Sequence, residues 1–170
     1  MPDGSLKLRG RVRAVLGDNI DTDIIYPGRY LNITDREKTA AHLFELAYPQ
    51  IRGLLQPGEF IVAARNFGCG SSREQAASAL KFARVGAVIA ASFARIFLRN
   101  AINLGLPAVV SPEAALLCSA GDELELDLTA GQIRNLTGDR VIAAAPLDAR
   151  AVELLAAGGL IPYLKRKYAA

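Results

Sequence analysis

Apolar positions recur along this chain with two different periods. From Leu6 to Leu16 they alternate roughly every second residue, as in a half-buried strand. A turn at Gly17-Asp18-Asn19 leads into Ile20-Asp21-Thr22-Asp23-Ile24-Ile25-Tyr26, and Pro27-Gly28 signals another turn. Residues 35–47 have helical spacing, with Asp35 as N-cap and Leu43, Phe44 and Ala47 apolar. Pro49, Gly53, Pro57 and Gly58 punctuate a loop. Phe60 to Ala64 and Gly86 to Ala91 are short apolar runs of the kind buried on both faces. Helices are predicted from about Ser72 to Arg84 and from Phe93 to Leu104, and a further strand from Leu106 to Val110. This strand–helix–strand–helix–strand order predicts a parallel βαβ core.

Beyond it the pattern changes. Glu123 to Leu128 alternates strictly, and Gln132 to Leu136 and Arg140 to Ala143 flank a turn at Thr137-Gly138-Asp139. A last helix runs from about Asp148 to Ala157 and is stopped by Gly158-Gly159. The expected fold class is α/β, with a parallel βαβ core and antiparallel flanking strands. The 170 residues are read as a single domain, 1–170, large enough to bury its own core. At 51% hydrophobic and 22% charged, the chain is too apolar to be disordered. Its longest apolar stretch, Gly86 to Ala94, holds Ser92 and is closed by Arg95, far short of a membrane span. Met1 to Gly10 has no apolar h-region, so the expected location is cytoplasmic, with no membrane partner. The net charge is only +3, and the one tight basic cluster, Lys165-Arg166-Lys167, reads as a solvated tail. No binding motif accompanies it, so no nucleic-acid partner is expected.

The scarce residues narrow the chemistry. There are two cysteines, Cys69 and Cys118, and one histidine, His42. They offer no zinc-ligand spacing and too few thiolates for an iron–sulfur cluster. A serine–histidine–acid triad is possible only through His42, which sits in a helical stretch and reads as surface or partly packed. An enzymatic role then requires unusual chemistry or a cofactor borrowed from a partner.

The most informative stretch is Asn66-Phe67-Gly68-Cys69-Gly70-Ser71-Ser72-Arg73-Glu74, with a strand leading in and a helix leading out. A helix start exposes unpaired N–H groups that attract anions. Gly68 and Gly70 permit tight turning and close approach, and Arg73 offers a planar fork for a carboxylate or phosphate. The loop lacks the Gly-Lys-Ser/Thr ending of a P-loop, and Arg73 stands where a dinucleotide fingerprint needs its third glycine. A plainer reading makes Ser71 the N-cap and Glu74 the N3 partner of a capping box. The two readings are compatible, because donors that satisfy a cap can also stabilise a serine alkoxide. Cys69 reads as a small packing residue, and Asp21 and Asp23 as turn caps.

Asn66 to Glu74, Ala91-Ser92-Phe93-Ala94-Arg95-Ile96-Phe97 and Asn100 to Leu106 closely resemble the small subunits of 3-isopropylmalate dehydratase, a family of the aconitase superfamily. Gly17 to Ile25, Pro27 to Leu31 and Gly158-Gly159-Leu160-Ile161 fit as well. The resemblance implies a swivel-domain-like β/β/α architecture. It implies no cofactor on this chain and a large-subunit partner carrying a [4Fe-4S] cluster, with the active site formed between the two. The reaction implied is dehydration and rehydration of a small hydroxy-dicarboxylic or tricarboxylic acid, iron acting as Lewis acid. Ser71 matches the base that takes the proton alpha to a carboxylate. Arg73 matches the carboxylate clamp and Asp23 an active-site aspartate, while Ser72 and Gly70 belong to the same substrate-binding loop. Gln75 stands where the family usually has a histidine, and glutamine cannot titrate. Tyr30, Leu31, Asn32 and Ile33 match the loop that meets the distinguishing substituent of the substrate. Members that act on an extra carboxylate tend to carry arginine near the position of Asn32. A neutral loop avoids stranding a charge against an isopropyl group, although Arg29 is close by. The implied activity is interconversion of 2- and 3-isopropylmalate in leucine biosynthesis. The alternatives are a homoaconitase or dimethylmalate hydratase small subunit, or a non-catalytic anion-binding module.

Overall fold

Among the described residues, seven strands form one curled mixed sheet. The computed structural model describes residues 6–168, so part of the Met1 to Gly10 reading lies outside the described residues. β1 (Lys7–Leu16) stands in the middle. On one side lie the parallel strands β2 (Phe60–Ala63), β3 (Ala87–Ala90) and β4 (Ala108–Val110). On the other side β5 (Glu123–Asp127), β6 (Gln132–Asn135) and β7 (Arg140–Ala143) run antiparallel. The parallel core and antiparallel flanks are those expected from the two sequence periods.

β2 and β3 show why uninterrupted apolar runs were needed. Strand residues alternate between faces, and here both faces are buried. Ile61, Ala63, Val88 and Ala90 point into a core covered by helices. These helices are α1 (Thr22–Ile25), α2 (Arg36–Ala41), α3 (Pro49–Leu54), α4 (Glu74–Phe82) and α5 (Arg95–Asn103). Phe60, Val62, Ala87 and Ile89 point the other way, into a core shared with Leu124, Leu126, Ile133 and Ile142 of the antiparallel strands. The antiparallel half therefore folds over the back of the parallel half, which gives β/β/α layering. β1 belongs to both halves: Lys7 to Arg11 pair with β5, and Val12 to Leu16 with β2. The register shifts between Val12 and Ala14, leaving Arg13 as the extra residue of a bulge that bends the strand.

Several elements depart from the sequence expectation. The predicted 35–47 helix stops at Ala41, because the Phe44 N–H turns to the Ile25 carbonyl at 2.9 Å and Phe44 is fully buried at φ 55°. The predicted 49–58 loop contains α3, which starts on Pro49 and buries Ile51. The helix after the glycine-rich loop begins at Glu74 rather than Ser72, and its cap is an extended Arg73 that makes no side-chain cap bond. The Ser71–Glu74 capping box is therefore not formed; the Ser71 carbonyl instead accepts from the Arg73 N–H and the Thr22 hydroxyl. A one-turn helix, α6 (Ala114–Leu117), follows β4. α7 (Ala149–Ala157) has Asp148 as N-cap and ends on Gly158 at φ 88°, as expected. The basic cluster is not a loose tail: Lys165, Arg166 and Lys167 are exposed on α8 (Leu160–Tyr168). Tyr163 of that helix packs under the Arg150 guanidinium at 4.2 Å. Among the described residues, no helix is long and apolar enough to cross a membrane.

Candidate active site

The C-terminal ends of β1, β2 and β3 open on the same side of the sheet, where ligands of parallel sheets ordinarily sit. The three following loops are stitched together through their backbones. Asn19 N–H bonds to the Arg65 carbonyl at 2.8 Å, Gly68 N–H to Ile20 at 2.7 Å and Thr22 N–H to Cys69 at 2.9 Å. Phe67 N–H reaches Ser92 at 3.0 Å, and Ala94 N–H returns to Phe67 at 2.9 Å. The Ser92 hydroxyl accepts the Asn66 N–H at 2.8 Å. Phe67 stands edge-on to Phe93 and Phe97, with ring centroids 5.9 and 5.2 Å away. Gly68 is required here: at φ 76° a Cβ would lie 2.2 Å from the Phe97 ring. Removing that side chain lets the loop lie flat on α5.

This arrangement makes a cleft of about 540 Å³. Gly70, Ser71, Ser72 and Arg73 line one wall; Arg95, Ile96, Phe97 and Arg99 from the start of α5 line another. Ser71 and Ser72 are exposed at the mouth. Among the described residues, the N–H groups of Gly70, Ser71 and Ser72 and the Ser71 hydroxyl have no protein partner. Four of the expected site residues therefore meet in one cleft.

Asp23 joins them from behind. Arg73 Nη1 donates to Asp23 Oδ1, and the same oxygen accepts the Gly28 N–H at 3.0 Å. The Arg73 guanidinium, aided by that N–H, holds the Asp23 carboxyl below the usual carboxylate range. Asp23 reaches this position because Asp21 caps α1, accepting from the Ile24 N–H at 2.8 Å. Gly28 is pressed against the pair: a Cβ there would stand 3.0 Å from Arg73 Nη1 and 3.1 Å from Asp23 Oδ1.

The residues Tyr30, Leu31, Asn32 and Ile33 do not line the cleft. They adjoin it through Gly28, which begins a 3-10 turn over Gly28–Tyr30. Tyr30 and Leu31 pack against the helical core, and Asn32 is exposed. Arg29 is turned away to Glu45 at 2.8 Å and lies over the Tyr30 ring at 4.7 Å. Gln75 is half-buried on the first turn of α4 and does not line the cleft.

Sequence reasoning missed Thr22, Arg95 and Arg99. Thr22 is buried, and its hydroxyl ties the Ser71 carbonyl at 3.2 Å. Arg95 and Arg99 stand one turn apart on α5, and neither has an ion pair among the described residues. Their i, i+4 spacing was the available signal, but on an amphipathic helix it reads as a solvated face. Because Arg73 and Asp23 neutralise one another, these two arginines give the cleft its net positive charge.

Among the described residues, no group of three or more His, Cys, Asp or Glu is placed to hold a metal ion. Cys69 is half-buried beside the cleft, whereas Cys118 is buried and its thiol is pushed up to about 11 by that burial. His42 lies against Glu45, away from Ser71.

The sequence profile of the Aconitase C-terminal domain matches residues 51–113. The chain is 56% identical to a 3-isopropylmalate dehydratase small subunit of Moorella thermoacetica, over 89% of this chain and 91% of that one. It is 50% identical to a methanogen homoaconitase small subunit of Methanothermobacter thermautotrophicus, over 93% and 91%. The crystal structure of 3-isopropylmalate dehydratase from Methanocaldococcus jannaschii superposes with a TM-score of 0.88 at 41% identity, covering 95% of each chain. With fold and sequence shared over nearly its whole length, this chain belongs to the aconitase-superfamily small subunits of the isopropylmalate dehydratase and homoaconitase type.

Proposed function

We propose that the chain is the small subunit of a hydro-lyase that interconverts 2-isopropylmalate and 3-isopropylmalate in leucine biosynthesis, working with a large subunit that carries the [4Fe-4S] cluster. The observation that carries this reading is the Ser71–Ser72–Arg73 loop, held with Asp23 at the C-terminal ends of three parallel strands. Ser71 takes the proton alpha to a substrate carboxylate. A serine hydroxyl gives up its own proton only among strong donors, and the unpartnered N–H groups of Gly70 to Ser72 and the start of α4 are the donors available. Arg73 clamps the carboxylate, and Asp23 holds the guanidinium in place until substrate arrives. Reconstitution with the cognate large subunit tests this directly. Ser71→Ala should lower turnover by about 10²–10⁴, the usual worth of a general base. Turnover within about tenfold of wild type would remove Ser71 from that role.

The loop supports isopropylmalate as substrate. Asn32 is neutral, and the guanidinium that the loop itself carries, on Arg29, is occupied by Glu45 and Tyr30. No cation on this loop is left to hold a further carboxylate. A homoaconitate-type substrate is the second reading, favoured by the free charge of Arg95 and Arg99 and by the 50% identity to a homoaconitase subunit. A substrate panel on wild type and Asn32→Arg separates them. Under the first reading the variant gains on tricarboxylic substrates and loses on isopropylmalate.

A further inference from the structure

The single histidine and a carboxylate outside the cleft form a cluster that the proposed chemistry does not use. Glu45 accepts from Tyr30 Oη at 2.9 Å, from Arg29 Nη2 at 2.8 Å and from His42 Nδ1. Since the carboxylate only accepts, the imidazole Nδ1 carries the proton. The His42 ring also stacks on the Tyr30 ring, with centroids 3.6 Å apart and planes 14° apart. The Tyr30 carbonyl accepts from Tyr26 Oη at 2.9 Å and from the Ile33 N–H at 2.9 Å. Tyr30 is thus held by its hydroxyl, its ring face and its backbone at once. Glu45 itself is fixed by the backbone, because it follows Phe44, which is fully buried in the left-handed region and bonded to Ile25. The three donors, His42 first, hold the Glu45 carboxyl down to about 2.

What this bracket holds is the 3-10 turn whose first residue, Gly28, presses on the Arg73–Asp23 pair and donates to it. We infer that Glu45, with His42 behind it, is a positioning residue for the substrate site: it fixes Tyr30 and Arg29, and through them sets Gly28 against Asp23 and Arg73 and the height at which Asn32 and Ile33 stand beside the cleft. It touches no reacting atom. The effect on catalysis rests on the proposed function; the effect on the loop does not.

The test has two arms. In the first, hydrogen exchange of residues 28–33 is measured on the full chain. Glu45→Ala should speed exchange there about tenfold or more, while β2 and β3 stay protected. Glu45→Gln, which keeps an oxygen for Tyr30 and Arg29, should restore most of the protection. In the second arm, the complex with the large subunit is assayed. Glu45→Ala should raise KM for the dicarboxylic substrate about tenfold with kcat within about threefold, and Glu45→Gln should return KM most of the way. Unchanged exchange in 28–33 overturns the inference, and so does a fall in kcat at unchanged KM. Wild-type complex that turns over none of the candidate substrates would overturn the proposed function instead, and the exchange arm would still decide whether Glu45 holds the loop.

Discussion

The two ends of the parallel strands are built on opposite terms. At the end where β2 begins, Arg13 of the β1 bulge forks onto Glu59 at 2.6 and 2.8 Å, and the Glu59 side chain is only 9% exposed. Glu59 also accepts the Gln56 N–H at 2.8 Å, so its charge is satisfied from three donors. At the other end a second arginine–carboxylate pair, Arg73–Asp23, has its Asp23 side chain 56% exposed and is bordered by unpartnered N–H groups and free arginines. The same two functional groups therefore do different work. Where the pair is closed off it locks the strand bend; where it is left open, the role proposed for Arg73 has it exchange one carboxylate for another.

That contrast can be broken deliberately. Arg73→Ala should have the largest effect, lowering kcat/KM of the reconstituted enzyme by about a thousandfold through loss of a bidentate, charge-assisted grip. Its thermal midpoint should move little, because the carboxylate left without a partner, Asp23, is 56% exposed. Glu59→Ala should do the reverse. It leaves Arg13, 24% exposed, without its carboxylate, and should cost about 2–3 kcal/mol in denaturant unfolding while turnover per folded molecule is kept. Arg95→Gln comes next: KM should rise about tenfold with kcat preserved, and the salt dependence of kcat/KM should flatten as the net charge of the cleft falls. If Arg95→Gln weakens affinity for the large subunit and leaves KM alone, the α5 arginines serve the subunit interface instead.

The smallest effect is in pH. Folding lowers the Asp23 carboxyl below its ordinary value, so the pair's contribution is complete above about pH 4 and is lost only as acid carries the pH below that range. A carboxyl NMR titration should find Asp23 still ionised at pH 4. Arg73→Gln should return its midpoint toward that of a free aspartate, and an unmoved midpoint would separate Asp23 from Arg73.

The closed end of the sheet was easier to read than the open one. Phe60 to Ala64 and Gly86 to Ala91 are visible as buried strands because nothing but burial on both faces explains such runs. Glu123 to Leu128 is equally plain, since one face is buried against the sheet and the other is not. What escaped were features set by distant contacts. The 35–47 helix is cut short by a Phe44 backbone bond to Ile25, and α3 forms where Pro49 and Gly53 suggested only a loop. The Ser71–Glu74 cap had every local credential, yet Asp23 and Thr22, some fifty positions away, draw Arg73 and the Ser71 carbonyl elsewhere. The resemblance supplied the names of Ser71, Arg73 and Asp23, but only the assembled loops show Arg95 and Arg99 facing the same space.

β1 also sets a timetable for assembly. Its second half needs only Phe60 to Ala63, which follow soon after it, whereas Lys7 must wait for Asp127. During synthesis the parallel half and its helices can come together first, with Phe60, Val62 and Ile89 covered on the far side by little more than α6. The sticky phase of this protein's life is therefore the interval before Leu124 and Leu126 emerge, and aggregation during slow translation should track that interval rather than the stability of the finished molecule.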